Sequence, residues 1–210
     1  MTIDILEVKT IFWDFDGVIK DSVEVKSGAF EYLFLPFGKE IAKKVRMHHE
    51  ANGGMSRFEK IPIYLEWSGQ VPLQHLIDEY AAKFSLLVRK KVIASEWIDG
   101  VFGYLENNYN RQHFFLITAT PQKEIEDIIL SLNIKHFFKE VIGAPTKKND
   151  AINILLKEYS IVPESSLMVG DSSSDYYAAK KNGVPFVLKR SNLNKALQRQ
   201  LDCMMIYDFL

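Results

Sequence analysis

The chain has 210 residues, 47% of them hydrophobic and 25% charged, the balance of an ordinary globular protein with one sizeable core or a core plus a small accessory domain. With 26 basic against 27 acidic residues the formal net charge is −1. That excludes a general electrostatic pull towards nucleic acid or an anionic membrane, so any hold on a phosphate must come from a local site. The single cysteine, Cys203, excludes an intrachain disulfide, reads as a core filler among apolar neighbours and suits a reducing cytoplasm. The opening segment MTIDILEVKT lacks the basic stretch and long apolar run of a secretory signal, and the apolar run from Ile11 is broken by Asp14 and Asp16. The expectation is a cytoplasmic protein with no nucleic-acid or membrane partner.

In chain order, TIFW at 10–13 is a short apolar run that ends in Asp14. HFFLI at 113–117 ends in Thr118, EVIGA at 140–144 leads to Pro145, LMV at 167–169 ends in Gly170 and Asp171, and PFVL at 185–188 follows Gly183. Runs this short, apolar on both faces, predict buried strands of a parallel sheet. Helical spacing lies between them. Ile125, Ile128, Ile129 and Leu132 follow Pro121, with Thr120 as the expected N-cap; Ile152, Leu155, Leu156 and Tyr159 repeat the pattern; a third helix runs from Ser173 to a stop at Gly183. Alternating strands and helices predict a doubly wound, Rossmann-like α/β sheet, whose ligand site lies beyond the carboxyl ends of the strands. Asp14, Thr118 and Asp171 all fall at such ends.

Residues 21–95 break the rhythm. Leu73, Leu76, Ile77, Tyr80, Ala81, Phe84 and Leu87 form one helical stripe, further helices are expected around Val25–Leu35 and Glu40–Glu50, and Asn52-Gly53-Gly54 marks a break. The expectation is a helical insertion after the first strand, with the sheet resuming near Glu96–Val101, so that 1–20 and 96–210 form the core and 21–95 the insertion.

Asp14 and Asp16, two positions apart after a buried strand, repel one another unless a cation is present, and Mg²⁺ accepts carboxylate oxygens while leaving room for water and a phosphate. Gly17 permits a sharp turn beside a ligand. Asp171, with Asp175 at the start of a helix, brings further carboxylates to the same edge.

These residues resemble the haloacid dehalogenase superfamily, in its phosphoglycolate phosphatase and β-phosphoglucomutase-like branch with a helical cap after the first strand. DFDGV at 14–18 is similar to its first motif, LIT at 116–118 to the second, Lys147 to the third and VGDSSSD at 169–175 to the fourth. The resemblance implies that Asp14 attacks the phosphorus and becomes an aspartyl phosphate, and that Asp16 protonates the leaving alkoxide and later activates water. It implies that Thr118 and the Ala119 N–H bind the phosphoryl oxygens, that Lys147 neutralises their charge, and that Asp14, the Asp16 carbonyl and Asp171 hold Mg²⁺ with Asp175 in support.

The stretch TKKND departs from the family, where proline usually follows the lysine; Lys147 fits the spacing to Asp171 better than Lys148, and the register stays open by one residue. Asp16 favours phosphate esters over halides, since an alkoxide needs a proton and a halide does not. Phosphonate hydrolysis through a Schiff base is set aside because the insertion presents no evident buried lysine. Within the cap, GGMSRF at 53–58 is the expected contact loop, with Arg57 gripping a substrate carboxylate or hydroxyl; His48 and His49 could face the cleft but read first as a surface-helix pair. The implied partner is a small phosphoester such as phosphoglycolate or a sugar phosphate, for a monomer or dimer. Alternative readings are a phosphomutase related to β-phosphoglucomutase and a catalytically silent binding or regulatory relative.

Overall fold

A computed structural model describes residues 5–210; the first four residues of the expected 1–20 core segment lie outside it. Among the described residues six strands, β1 (Thr10–Trp13), β2 (His113–Pro121), β3 (Phe138–Ala144), β4 (Ser166–Gly170), β5 (Phe186–Lys189) and β6 (Met204–Ile206), form one parallel sheet in the order β3-β2-β1-β4-β5-β6. The alternation of each strand sorts its side chains. Ile11, Trp13, Phe114, Leu116, Leu167 and Val169 join one hydrophobic cluster, while Phe12, Phe115, Ile117, Met168 and Leu188 join the other. Both faces are covered, which is why the strands are apolar throughout.

The second face is covered by α7 (Lys148–Glu158) and α8 (Ser173–Lys181), through Ile152, Leu155, Ala178 and Ala179. The first is covered by α5 (Val101–Asn108) and α6 (Gln122–Ser131). The short helix α9 (Lys195–Gln200) precedes β6. Between β1 and α5 stand α1 (Val23–Phe34), α2 (Lys39–Ala51), α3 (Arg57–Trp67) and α4 (Gln74–Ala94), with no strand among them. Phe30, Tyr64 and Phe84 knit these helices together, and their cluster is continuous with the first face of the sheet. Among the described residues, no helix is long and apolar enough to cross a membrane.

Three expectations differ from what is observed. The sheet does not resume at Glu96–Val101: Trp97 makes only an isolated bridge to Lys20, Gly100 turns at φ 75°, and Val101 and Leu105 start α5, so β2 begins at His113. Thr120 does not cap α6, because β2 extends to Pro121 and the Thr120 hydroxyl turns towards the site instead. The segment after the glycines is not all loop. Ser56 and Glu59 form a capping box that starts α3, which runs on through Pro62.

Candidate active site

The winding order decides where the chemistry sits. From β1 the chain moves outward to β2 and β3, then returns to the other side of β1 as β4, which makes the carboxyl end of β1 the switch point of the sheet. Trp13 lies beside Leu116 on one side and Val169 on the other, so Asp14, Thr118 and Asp171 emerge at one edge. Gly17 has φ 77°, and a Cβ there would collide with the Asp171 carboxylate, so the turn closes only with glycine.

Asp14, Asp171 and Asp175 each offer a carboxylate oxygen within 4.8 Å of the others. Burial, then the neighbouring Asp175, raises the Asp14 carboxyl to about 7; burial and Asp14 push Asp171 well above the usual carboxylate range. Three acids crowded in a dry place with too little positive charge make a donor set that a divalent cation fits. Asp175 also accepts from the Ser172 backbone and hydroxyl, which anchors it at the start of α8.

The lysine that meets Asp14 is Lys148, which corrects the expectation for Lys147. Lys148 Nζ lies 2.8 Å from Asp14 Oδ1 and 2.5 Å from Asp175 Oδ1, with only 5% of the side chain exposed. Lys147 is 72% exposed and reaches Glu59 at 3.6 Å. The reason is local: Lys147 is the extended N-cap of α7, whereas Lys148 is its first helical residue and turns inward over the strand ends. Desolvation alone would lower the Lys148 pKa, but Asp14 and Asp175 more than offset it and keep the ammonium charged.

The Asp16 side chain points away from the carboxylate cluster. It pairs with Lys26 of α1 and accepts from the Ser22 hydroxyl at 2.6 Å, and Lys26 also donates to Thr120 Oγ1 at 2.8 Å. Burial would raise its pKa, yet Lys26 and Ser22 together hold it below its ordinary value. Thr118 is buried, its hydroxyl accepting from the Thr120 N–H at 3.2 Å. Thr118 and Ala119 both line a cavity of about 320 Å³ with Asp14, Asp16 and Asp171.

The sequence model of the haloacid dehalogenase-like hydrolases matches residues 11–189. The chain belongs to that family. A phosphoglycolate phosphatase from Vibrio vulnificus is 38% identical to this haloacid dehalogenase-like hydrolase over 195 residues, covering 84% of this chain and 81% of its own. One from Vibrio cholerae is 27% identical over 194 residues, with the same two coverages. Such relatives make the chain an enzyme of the phosphoric monoester hydrolase type. Among solved structures, β-phosphoglucomutase from Clostridium difficile superposes with a TM-score of 0.76 at 17% identity, covering 96% of this chain and 92% of the other. CbbY from Rhodobacter sphaeroides, in complex with xylulose-(1,5)bisphosphate, gives 0.76 at 16% identity, covering 96% and 95%. At such identity these two show the shared fold.

In this hydrolase the inserted helices close the cavity differently from the expectation. Arg57 lines it but is committed elsewhere: it is buried, with two nitrogens on Glu124 of α6 at 2.5 and 2.8 Å and one also on Ser85 of α4. A guanidinium already engaged bidentately in a dry place is not available to grip a substrate. Gly54 of the contact loop serves close packing, since a Cβ there would collide with Ser174. His49 is not on the surface but buried against the cavity, while His48 is half-buried and bonds the Tyr64 hydroxyl at 3.0 Å. The insertion also carries two buried lysines, Lys26 and Lys60, so the ground on which Schiff-base chemistry was set aside does not hold. On a helix of mixed polarity these lysines read as solvated; only folding turns them inward.

Proposed function

We propose that the chain is a Mg²⁺-dependent phosphatase of a small phosphorylated metabolite, of the phosphoglycolate or sugar phosphate type, acting through a phosphorylated Asp14. The observation that carries this reading is Asp14 at the switch point, one oxygen held by buried Lys148, beside a second acid, Asp16, that belongs to a separate hydrogen-bonded group. Residues 21–95 act as the cap, and 1–20 with 96–210 as the core.

One Asp14 oxygen forms the bond to phosphorus while the ester P–O bond breaks, and the departing alkoxide takes a proton from Asp16. Lys148 orients Asp14 and offsets charge on the transferring group, and Thr118 with the Ala119 N–H receives phosphoryl oxygens. Water then attacks the phosphorus as Asp16 takes its proton, releasing phosphate and restoring the Asp14 carboxylate. Held as a carboxylate by Lys26 and Ser22, Asp16 is set for this second step. The first step requires it to be protonated, hence a weaker hold by Lys26, which sits on the cap helix α1. Asp14 and Asp171, with Asp175 behind them, would hold Mg²⁺, whose charge lowers the repulsion between an anionic nucleophile and an anionic ester.

The test is phosphate release from a panel of small phosphoesters by wild type and Asp14→Asn in parallel, each with Mg²⁺ and with chelator. Activity abolished by Asp14→Asn, with the fold intact by circular dichroism, supports the mechanism; undiminished activity in that variant overturns it. Isomerised sugar phosphate in place of free phosphate would mark a mutase, and no turnover of any ester a silent relative.

A further inference from the structure

Among the described residues, four cations line the cavity: Lys26, Arg57, Lys60 and Lys148. Three are ion-paired, Lys26 with Asp16, Arg57 with Glu124, and Lys148 with Asp14 and Asp175. Lys60 is different. It is 1% exposed on α3, and among the described residues its Nζ has His49 Nδ1 as its partner, at 2.9 Å, and forms no ion pair. Burial and Lys60 itself push the His49 pKa well below 6.5, so the ring is neutral and offers Lys60 no counter-charge. The surroundings are aromatic, with the Phe30 ring tilted against His49 at 4.9 Å and against Phe84 at 4.0 Å between centroids.

A buried lysine with only a neutral acceptor is destabilising, and any apolar residue of its length would suit that position on α3 better. Burial and nearby Lys26 depress its own pKa to about 7, against the weaker pull of Asp16 and Glu59. What would complete the site is an anion arriving with the ligand.

Resting on the phosphatase reading above, we infer that Lys60, oriented by His49, receives a carboxylate carried a short distance from the phosphoryl group, making the substrate a phosphorylated small acid rather than an ester with a neutral tail. One positive charge balances a carboxylate. A second phosphate dianion would leave a net charge in a dry pocket that already faces Asp16.

The experiment compares phosphoglycolate with its isosteric, uncharged amide as substrates of wild type, Lys60→Met and Lys60→Gln. The readout is the ratio of the two kcat/KM values within each protein, from which any loss of folded enzyme cancels. Wild type should favour the acid roughly 10- to 100-fold, the range of a charge-assisted contact in a dry site, and both variants should bring the ratio close to one. A wild-type ratio near one, or a preference that survives both substitutions, overturns the inference. Should wild type release phosphate from neither ester, the phosphatase reading fails first. The Lys60 inference is then decided by calorimetric titration of Asp14→Asn with the same two compounds. Tighter binding of the acid that vanishes on adding Lys60→Met sustains it; equal binding, or none of either, overturns it.

Discussion

Lys147 and Lys148 are adjacent in the chain and opposite in environment, one at the rim beside Glu59 and the other wedged between Asp14 and Asp175. Replacing Lys148 with methionine should lower kcat for phosphate release about 10²- to 10³-fold, the usual consequence of removing one preorganised charge from a transferring group, whereas Lys147→Met should stay within about threefold on the general expectation for an exposed side chain. Steady-state assays of both variants decide it, and the reverse ranking would return the role to Lys147. Asp16→Asn should be selective in another way. Its loss should be about 10²- to 10⁴-fold for an alkyl ester and smaller, in single-turnover release of the alcohol, for an aryl ester whose leaving group scarcely needs a proton. Equal losses in that step would remove Asp16 as the acid. Asp14, Asp16, Thr118 and Asp171 were legible because each is tied to the end of an apolar run, and strand ends converge in a parallel sheet. The choice between two lysines was not, since a one-residue register at a loop-to-helix junction leaves no periodic trace. Lys26 and Lys60 were invisible for the opposite reason: helices bury lysines only where tertiary packing demands it.

The elements meet through one buried contact of high information. Arg57 opens α3 and Glu124 lies in the first turn of α6, so their bidentate pair, braced by Ser85 on α4, ties the insertion to the sheet-bearing part of the chain. Ser56 and Glu59 cap the start of α3 in the structure, but an arginine in such a segment gives no sign in sequence of whether it faces substrate, solvent or another helix. Breaking a buried pair from one side typically costs about 3–5 kcal/mol, and Glu124→Gln should destabilise the protein by an amount of that order at neutral pH. Desolvation opposes ionisation of Glu124, yet Arg57 holds its pKa below 4.5. Its contribution is therefore complete above 4.5 and lost as pH falls through its lower folded value. Urea midpoints of wild type and Glu124→Gln should accordingly stand apart at pH 7 and converge below pH 4.5. A gap that does not change with pH would mean the contact works by packing and not by charge.

Across the whole molecule, a sheet covered on both faces provides stability that the cavity partly gives back. The hydrophobic clusters are continuous from the sheet into the inserted helices, and among the described residues Lys60 is set within that apolar region without a carboxylate in ion-pair contact. Function and stability should therefore separate at this position. Folded wild type releases the Lys60 proton near pH 7, pushed there by burial first and Lys26 second, while the unfolded chain releases it near 10.5. Lys148 adds to the repulsion, Asp16 and Glu59 work against it, and burial with the neighbouring lysines lowers the pKa values of His48 and His49 on α2. Between those two pH values the unfolded state holds more protons, so wild-type stability rises with pH across the window. Lys60→Met removes the titration. The variant should be more stable than wild type by an amount on the order of a few kcal/mol at and below pH 7, with the advantage shrinking steadily towards pH 10.5. Denaturant midpoints of the two proteins at pH 6, 8 and 10 measure it directly. A variant that is less stable than wild type at pH 6, or an advantage that grows with pH, would show that Lys60 is satisfied where it lies and that the buried charge carries no penalty for a ligand to relieve.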